Sequence, residues 1–183
     1  MSNEIELTKI LLEIFPHVEW DDSVSDTARR IIGYWTEFSN GSDVDFNVTT
    51  FPSRGQQMIA VRDIEFSSMC AHHLLPFFGV AHVGYIPHEL EIGLSKIPRI
   101  VDHYATRPQT QERMTEQIVS FLKHTLSAKG VAVVIESRHT CMACRGVRKM
   151  EASMVTSHIR GVFLTSPAPR DEFMNLIKIG SRR

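Results

Sequence analysis

The segment VAVVIESRHTCMACRG, residues 131–146, joins a strand to a loop that is rich in possible metal ligands. Its first six residues are mostly apolar and β-branched, which is typical of a strand buried in a sheet. The loop that follows contains His139, Cys141, Cys144 and Arg145. Thiols and imidazoles are the usual protein ligands of zinc, so this end of the strand is a candidate metal site.

A second segment, MCAHHLLPFF at residues 69–78, contains the remaining residues of the same kind. Cys70 and His73 stand at Cys-x-x-His spacing, and His72 lies between them. Cys-x-x-His is a spacing used by zinc ligands, but such a short motif is weak evidence alone. Every cysteine of the chain lies in one of these two segments, so the fold has to decide whether they meet.

The hydrophobic pattern predicts that the two segments do meet. Strands are predicted at residues 58–66, 80–86, 131–136 and 153–163, with two helices between the second strand and the third. If the first strand of an antiparallel sheet runs up, the second runs down. The helical pair goes up and returns, so the third strand runs up again. Both candidate segments then connect strands at the same end of the sheet.

Local signals predict further elements near the N-terminus. Apolar residues at helical spacing indicate two helices, the first closed by Pro16 and the second ended by Asn40-Gly41. A short strand is predicted at residues 46–51. The chain is therefore expected to divide into an N-terminal helical region, residues 1–45, and a main domain, residues 46–183.

The middle and the end of the chain contain predicted helix signals as well. Ser95 is expected to cap the first of the two central helices, and Lys129-Gly130 to end the second. The segment SPAPR at residues 166–170 is predicted as a loop, followed by a short helix over residues 170–178. These elements together give an α+β protein.

Composition excludes several classes of protein. The 183 residues include 20 Lys and Arg against 21 Asp and Glu, so there is no overall positive charge to attract nucleic acid or a membrane surface. Three cysteines do not suggest a disulfide framework. No signal peptide and no membrane-spanning apolar run is present in the sequence. We therefore expect a soluble cytoplasmic protein with neither nucleic acid nor membrane as a partner.

Three interpretations of the cysteine segments stay open at this point. In the first, Cys70, His73, Cys141 and Cys144 form a closed structural zinc site that fastens two loops. In the second, three residues hold the metal and water takes the fourth position, leaving His72 and His139 for proton transfer. In the third, the cysteines are ordinary core residues and bind no metal.

Charged residues favour the interpretation that leaves the metal accessible. Lys96 and Arg99 lie on one face at the start of a predicted helix, and Arg145 follows Cys141 by four residues. A helix N-terminus with two cations can bind phosphate, although a Lys-x-x-Arg pair is more often only a solvated face. Glu112 either responds to a helix dipole or accepts hydrogen bonds from guanine. A purely structural zinc site requires none of these groups.

Several ordered motifs resemble one known family. The segments SSMCAHHLLPFFG, IGLSKIPRIV, RPQTQERMTEQI, VAVVIESRHTCMACRGVRK and SMVTSHIRGVF resemble GTP cyclohydrolase I over residues 58–178. The resemblance implies the tunnelling fold, a four-stranded antiparallel sheet with two helices on one face. It also implies a ring-shaped homo-oligomer, most often a decamer, with active sites at subunit interfaces.

The resemblance also implies a function and a set of residues. The expected reaction is zinc-dependent opening of the imidazole ring of GTP, releasing formate and giving 7,8-dihydroneopterin triphosphate. One zinc ion per subunit would be bound by Cys70, His73 and Cys141, with Cys144 spare. The remaining roles it implies are proton transfer by His72 and His139, a ribose contact from Ser95, guanine recognition by Gln111 and Glu112, and triphosphate binding by Lys96, Arg99, Arg145 and Arg30, the last reaching a neighbouring subunit.

The chain departs from the family pattern at three points. Ala71 replaces a glutamate next to a metal ligand, Ala28 replaces the proline of a Thr-Pro motif near Arg30, and the N-terminal region is short. Two rival functions therefore remain: a non-catalytic nucleotide-binding module with a closed zinc site, and a related tunnelling-fold enzyme acting on another purine or pterin.

Overall fold

The structure is a computed structural model of the chain, and it describes residues 2–20, 23–39 and 48–179. The helices are α1 Ser2–Ile14, α2 Val24–Glu37, α3 Lys96–Ala105, α4 Gln111–Leu126, α5 Thr140–Ala143, α6 Val162–Thr165 and α7 Pro167–Lys178. The strands are β1 Thr50–Pro52, β2 Ile59–Cys70, β3 Pro76–Ile86, β4 Leu90–Ile92, β5 Pro108–Gln109, β6 Gly130–His139 and β7 Met154–Gly161. None of the described helices has the length and apolar character needed to cross a bilayer.

The main sheet has five strands in the order β5-β2-β3-β6-β7. The four long strands are antiparallel neighbours and follow the predicted sequence of elements. The expectation of a four-stranded sheet is corrected by β5, which pairs in parallel with the end of β2. A two-residue strand has no periodicity of its own, and for this reason the sequence did not predict it.

The register of the sheet brings the two cysteine segments to one end. Met69 is paired with Pro76 where β2 turns into β3, and Phe77 is paired with His139 at the end of β6. Because β3 lies between β2 and β6, the β2–β3 turn and the β6–β7 connection leave the sheet side by side. The predicted meeting of the two connections is confirmed.

Helices cover both faces of this sheet. α3 and α4 pack on one face, as predicted, with Ile100 and Leu122 fully buried against the sheet. α7 covers part of the opposite face, where Phe173 packs with Ala132 and Val134 of β6. Burying a side chain of this size stabilises the fold by about 1.5–3 kcal/mol. The central strands are therefore apolar on both faces, which explains the continuous apolar run in β6.

Two predicted boundaries are wrong. α4 ends at Leu126, with Ser127 in the left-handed conformation at φ 45°, so Lys129-Gly130 does not end the helix; Gly130 begins β6 instead. The SPAPR segment is not a loop, because α7 already begins at Pro167. Proline is tolerated in the first turn of a helix, where its missing N–H has no partner to lose.

The first two helices contact mainly each other, whereas the strand pair β1–β4 packs against the main core through Leu90 and Ile92. α1 and α2 pack on each other, and β1 pairs with β4 in a two-stranded sheet. α2 ends at Glu37. The Asn40-Gly41 pair predicted to end this helix lies outside the described residues. Positions 46 and 47 of the predicted strand, and the proposed boundary after residue 45, also lie outside them.

The packing of α7 depends on a glycine of β3. A Cβ atom at Gly84 would lie 2.5 Å from the Phe173 ring, so Gly84→Ala forces α7 away from the sheet. We expect this variant to lower the free energy of unfolding by about 1–3 kcal/mol, as other overpacked cores do. Urea denaturation at a fixed protein concentration measures the change.

Gly33→Ala is the matched control, because nothing lies within 4 Å of a Cβ atom built at this position in α2. Alanine is the better helix former, so this variant should gain up to about 1 kcal/mol. Equal stability of the two variants would show that Phe173 is not held against β3 in the way described.

Candidate metal centre and active site

Three side chains converge where the two connections meet. The ligand atoms of Cys70, His73 and Cys141 all lie within 4.8 Å of one another. The Cys70 Sγ and His73 Nδ1 atoms are 3.6 Å apart. Tetrahedral zinc with ordinary Zn–S and Zn–N bond lengths requires a separation of about 3.6 Å between these atoms. Both the donor types and the spacing therefore fit zinc.

Main-chain and side-chain hydrogen bonds fix the two connections in this arrangement. In the β2–β3 turn, the Cys70 N–H donates to the Leu75 carbonyl and the Leu74 N–H donates to the Cys70 carbonyl, both at 2.8 Å. The Thr140 hydroxyl then donates to the Pro76 carbonyl at 2.6 Å and links one connection to the other. Cys141 is the next residue, so this bond sets its position relative to Cys70.

The short strand β5 supports the turn from the other side. The Ala71 N–H donates to the Gln109 carbonyl at 2.8 Å, which continues the parallel pairing of β5 with β2. Gln109 is fully buried, and its side-chain amide donates to the Tyr104 carbonyl at 2.9 Å. The residue between the two metal ligands is thus fixed through its main chain, independently of its side chain.

The Cys141 thiol is set in a partly buried, mixed electrostatic environment. Burial raises its pKa, the neighbouring Cys70 raises it further, and the positive charge of Arg145 opposes both effects. These effects together favour the protonated form of the Cys141 thiol. A bound cation reverses this preference, since metal ligands bind as thiolates.

Cys144 lies outside the metal cluster. Its side chain is exposed, and its thiol donates back to the Thr140 carbonyl at 2.9 Å, one turn earlier in α5. Within the part of the chain that the structure describes, the group of close ligands contains three residues. The geometry favours the three-ligand site over the closed four-ligand site, and three-ligand sites are typical of catalytic zinc.

His139 lies beside the cluster and is partly buried. Its ring stacks on Phe77, with the centroids 4.5 Å apart and the planes within 6°, and its Nε2 atom lies 3.0 Å from the Gln111 Oε1 atom. Burial lowers the pKa of His139, while the negative charge of Glu112 acts in the opposite direction. The imidazole is therefore held largely neutral near pH 7.

Gln111 lies beneath the site, with only 1% of its surface exposed. Its amide nitrogen donates to the Ile135 and Met154 carbonyls, and its oxygen accepts from the Ser137 hydroxyl at 2.5 Å. The resemblance assigns this side chain to guanine. That role stays a prediction, and it would require the amide to leave its present partners.

His72 and Glu112 face solvent near the cluster. The His72 ring lies edge-on to His73, with 6.3 Å between the centroids, and both rings are exposed. Glu112 is in the first turn of α4, close enough to influence His139. Both side chains are accessible to a ligand that approaches the metal ligands from this end of the sheet.

The residues predicted to bind triphosphate are divided between two ends of the sheet. Arg145 is near Cys141. The last residue of α3, Ala105, is close to the metal end of β2, because its carbonyl accepts a 2.7 Å hydrogen bond from Ser68. Lys96 is the first residue of α3 and so lies at the opposite end of this helix. A helix of this length extends about 15 Å. One chain therefore does not bring Lys96 and its neighbours to its own metal ligands.

Other predicted residues share this separation. Ser95 precedes α3 and makes no side-chain capping bond, so its predicted cap is wrong in that detail. Arg99 is exposed one turn into the same helix. Arg30 is on an exposed face of α2, a helix that packs mainly with α1. The described chain thus contains a metal half of the site and, apart from it, a cationic half.

Three contacts of the metal half were not predicted from the sequence. They are the stacking of Phe77, the hydroxyl of Ser137 and the bond from Thr140 to Pro76. The alternation of side chains along β6 already places Ser137 and His139 on the same face as Val133. That signal could have identified Ser137, whereas the other two contacts depend on the register between strands.

These features define an α+β protein with a candidate three-ligand metal centre at the end of a buried antiparallel sheet, next to a partly buried histidine. Residues 5–178 match the family described as GTP cyclohydrolase I. The chain belongs to the GTP cyclohydrolase I family.

Individual relatives agree with this assignment, and one solved structure is similar in fold. The chain is 49% identical over 158 residues to the GTP cyclohydrolase 1 of Sulfurihydrogenibium sp. (strain YO3AOP1), covering 85% of this chain and 83% of the relative. It is 44% identical over 176 residues to that of Campylobacter jejuni (strain 81-176), covering 94% and 93%. The crystal structure of the archaeosine synthase QueF-Like in the apo form is similar in fold, with TM-score 0.50 and 15% identity over 59% of this chain and 97% of that one.

Metal binding should distinguish Cys141, in α5, from Cys144, which caps the end of this helix. We expect Cys141→Ser to lose zinc, because it removes one of three ligands, and Cys144→Ser to retain it fully, because that thiol bonds to Thr140 instead. The zinc content of each purified variant, measured by mass spectrometry after dialysis, checks this. Loss of zinc from Cys144→Ser would favour the interpretation in which Cys144 is a fourth ligand of a closed zinc site.

Proposed function

We propose that the site carries out the reaction of its family on GTP. The imidazole ring of guanine is opened hydrolytically at C8, formate is released, and the product is 7,8-dihydroneopterin triphosphate. The observation that carries this proposal is the convergence of Cys70, His73 and Cys141 beside the neutral imidazole of His139. A metal with an open position next to a proton carrier is what hydrolysis of a ring C–N bond requires.

One zinc ion per subunit would be held by Cys70, His73 and Cys141. When bound there, zinc lowers the pKa of a coordinated water and so supplies a nucleophile near neutral pH. The chain contributes the rigid placement of the three ligands through the Thr140 bond to Pro76. It also leaves the exposed edge of His73 open to solvent, so that a substrate can reach the centre.

Proton transfer is the proposed task of His139 and His72. Because burial keeps His139 neutral near pH 7, it can accept a proton from the attacking water and return it to the ring nitrogen that leaves. His72 is exposed beside His73 and is proposed as the second proton carrier. Ring opening and formate release both require a proton on a departing nitrogen, so each of the two histidines can serve as a proton donor.

Substrate recognition is proposed to combine one carboxylate with several cations. Glu112, exposed at the start of α4, would accept hydrogen bonds from the ring N–H and the amino group of guanine. Arg145 would contact the triphosphate from the metal half of the site. The remaining contacts proposed by resemblance are Ser95 to ribose, and Lys96, Arg99 and Arg30 to triphosphate.

A complete site is proposed to need a second copy of the chain. Lys96 and the metal ligands lie at opposite ends of the sheet, so a cationic half from one subunit would have to face a metal half from another. β7 supports this arrangement, because it is an edge strand eight residues long with Val155 60% exposed. Such an edge is a surface for pairing with another chain.

The assembly proposed on this basis is a ring of tunnelling-fold subunits, most simply a decamer. Edge-to-edge pairing in a closed ring leaves no free strand edges. We also propose that residues 1–45 form an N-terminal helical region and residues 46–183 the catalytic domain, in a protein that works in the cytoplasm.

The activity is tested directly by mixing zinc-loaded protein with GTP. Formate and a fluorescent pterin should appear in equal amounts. Glu112→Gln removes the charge that accepts from guanine, and we expect kcat/KM to fall about 10–100-fold, as for loss of a charged hydrogen bond. Steady-state kinetics with GTP measures the change.

Glu116→Gln is the matched control, because Glu116 is exposed one turn further along α4 and pairs only loosely with Arg160, at 3.9 Å. Its kinetics should equal those of the unaltered protein. If GTP yields neither formate nor pterin, the proposed reaction is wrong. If Glu112→Gln leaves the kinetics with GTP unchanged, a different purine or pterin becomes the better substrate.

Complementation tests whether the site is shared between subunits. Lys96→Met and Cys141→Ser should each be inactive alone, because each lacks one half of the site. Coexpressed in one cell, they form mixed rings in which about one quarter of the sites are intact under random assembly. GTP turnover by the purified mixture should recover accordingly.

Coexpression of Cys70→Ser with Cys141→Ser provides the negative control. Both changes affect the metal half, so no mixed site regains all three ligands. Recovery in this control, or none in the Lys96→Met mixture, would contradict a site divided in the way proposed.

A further inference from the structure

We propose that Gln111 is a positioning residue for His139. Its buried carboxamide fixes the orientation of the imidazole and holds the ring hydrogen on Nε2, which leaves the lone pair on Nδ1. This inference rests on the proposed role of His139 as a proton carrier. It replaces the guanine contact that the family resemblance implies for Gln111.

The orientation of the Gln111 amide follows from its partners. Its nitrogen lies 3.0 Å from the Ile135 carbonyl oxygen and 3.1 Å from the Met154 carbonyl oxygen. Main-chain carbonyls can only accept hydrogen bonds, so a donor has to face them. Rotating the amide by half a turn would place its oxygen against two other oxygens. The amide oxygen must therefore point toward Ser137 and His139.

The position of the hydrogen on His139 follows in turn. The Gln111 oxygen is only an acceptor, and it lies 3.0 Å from the His139 Nε2 atom. Nε2 therefore donates, and in the neutral ring the lone pair is on Nδ1. The Ser137 hydroxyl donates to the same oxygen at 2.5 Å, so both lone pairs of that oxygen are used.

The plane of the imidazole is fixed by a second contact. The Phe77 ring lies parallel to it, with the centroids 4.5 Å apart and the planes within 6°. Phe77 is fully buried, so it offers a rigid surface. One hydrogen bond in the plane and one stacked ring on a face leave little freedom for the ring to turn over and exchange its two nitrogens.

Gln111 is itself held by three elements of the fold. As the first residue of α4 it reaches to β6 through Ile135 and to β7 through Met154 and the Thr156 hydroxyl, 3.1 Å away. The Thr115 hydroxyl bonds both to the Gln111 carbonyl, at 2.6 Å, and to the Thr156 hydroxyl, at 2.7 Å. A buried, fully satisfied network of this kind is rigid.

A contact to guanine and a positioning role predict different kinetics. A side chain that binds substrate changes KM when it is lost, whereas one that acts through a proton carrier changes kcat and leaves KM nearly unaltered. Exposure of 1% and engagement of every amide donor and acceptor favour the second role.

The hydrogen position can be read directly in the unaltered protein. Solid-state nitrogen NMR of protein labelled at the histidine ring nitrogens distinguishes protonated from unprotonated nitrogens, and the spectrum of His139→Asn identifies the His139 signals by difference. Above neutral pH, we expect Nε2 protonated and Nδ1 unprotonated. The opposite tautomer, or an equal mixture, would overturn the inference without reference to any activity.

Gln111→Met removes the carboxamide while keeping the length of the side chain. We expect a mixture of His139 tautomers, a fall in kcat of at least about 10-fold, as for impaired acid–base catalysis, and a KM for GTP within about twofold of the original. A raised KM with an unchanged kcat would show instead that Gln111 contacts guanine. An unchanged kcat would also overturn the inference.

Gln117→Met is the control for the loss of a side-chain amide bond in the same helix, where Gln117 is partly buried. The Gln117 oxygen accepts from Gln109 at 2.7 Å and does not contact His139, so this variant should keep the tautomer and kcat. If Gln111→Met fails to fold, the NMR spectrum of the unaltered protein still decides the question. Absence of turnover in an unaltered protein with Nε2 protonated would contradict the proposed reaction instead of the tautomer.

Discussion

The register of β3 between β2 and β6 is the constraint on which the site depends. Side chains alternate across a strand, so a slip of one residue would move every side chain of the slipped strand to the other face. Such a slip between β3 and β6 would carry His139 away from Phe77 and bury charged residues in the helix-covered core. The apolar residues of β6, which are buried on both faces, make that slip costly. Hydrophobic packing thus determines where the metal ligands lie.

Thr140 adds local precision to this global constraint. The strands align Cys70 with the start of α5, but the end of a sheet frays more easily than its centre. The bond from the Thr140 hydroxyl to the Pro76 carbonyl joins the two connections just where pairing ends. A bound metal would then join them again through Cys70 and Cys141. Two thiolates repel each other unless a cation lies between them. Metal binding would therefore favour closure of this end of the sheet, and closure would favour metal binding.

The sequence predicted the metal half of the site because its logic is topological. Strand order and direction suffice to bring the segment around Cys70 to the segment around Cys141. The predicted ends of the strands could be wrong by several residues without changing this result. The same reasoning, applied to helix direction, places Lys96 at the far end of the sheet. Charge, a helix N-terminus and the family resemblance instead group Lys96 with the metal segment, whereas within one chain the two lie apart.

Other features depended on contacts that no local pattern encodes. Gln111 follows a capping threonine at the start of an amphipathic helix, where a polar residue normally faces solvent. It is buried because α4 crosses the end of β6 and β7, which supply carbonyls at the right distance. β5 exists only because the chain passes beside β2. The burial of Gln111 and the formation of β5 are therefore decided by packing between elements and not by propensity within them.

The proposed division of the site between two chains would have a direct consequence for substrate binding. In the proposed ring, the metal half of one subunit can bind zinc alone, but it gains cations for triphosphate only from a neighbour. Of the four residues proposed to bind triphosphate, an isolated subunit would offer GTP only Arg145 beside its own metal ligands. In the proposed ring, triphosphate affinity would therefore rise with assembly, since each added cation would contribute a charge-assisted contact. Edge pairing of β7 would bring the two halves together and cover an aggregation-prone strand in the same step.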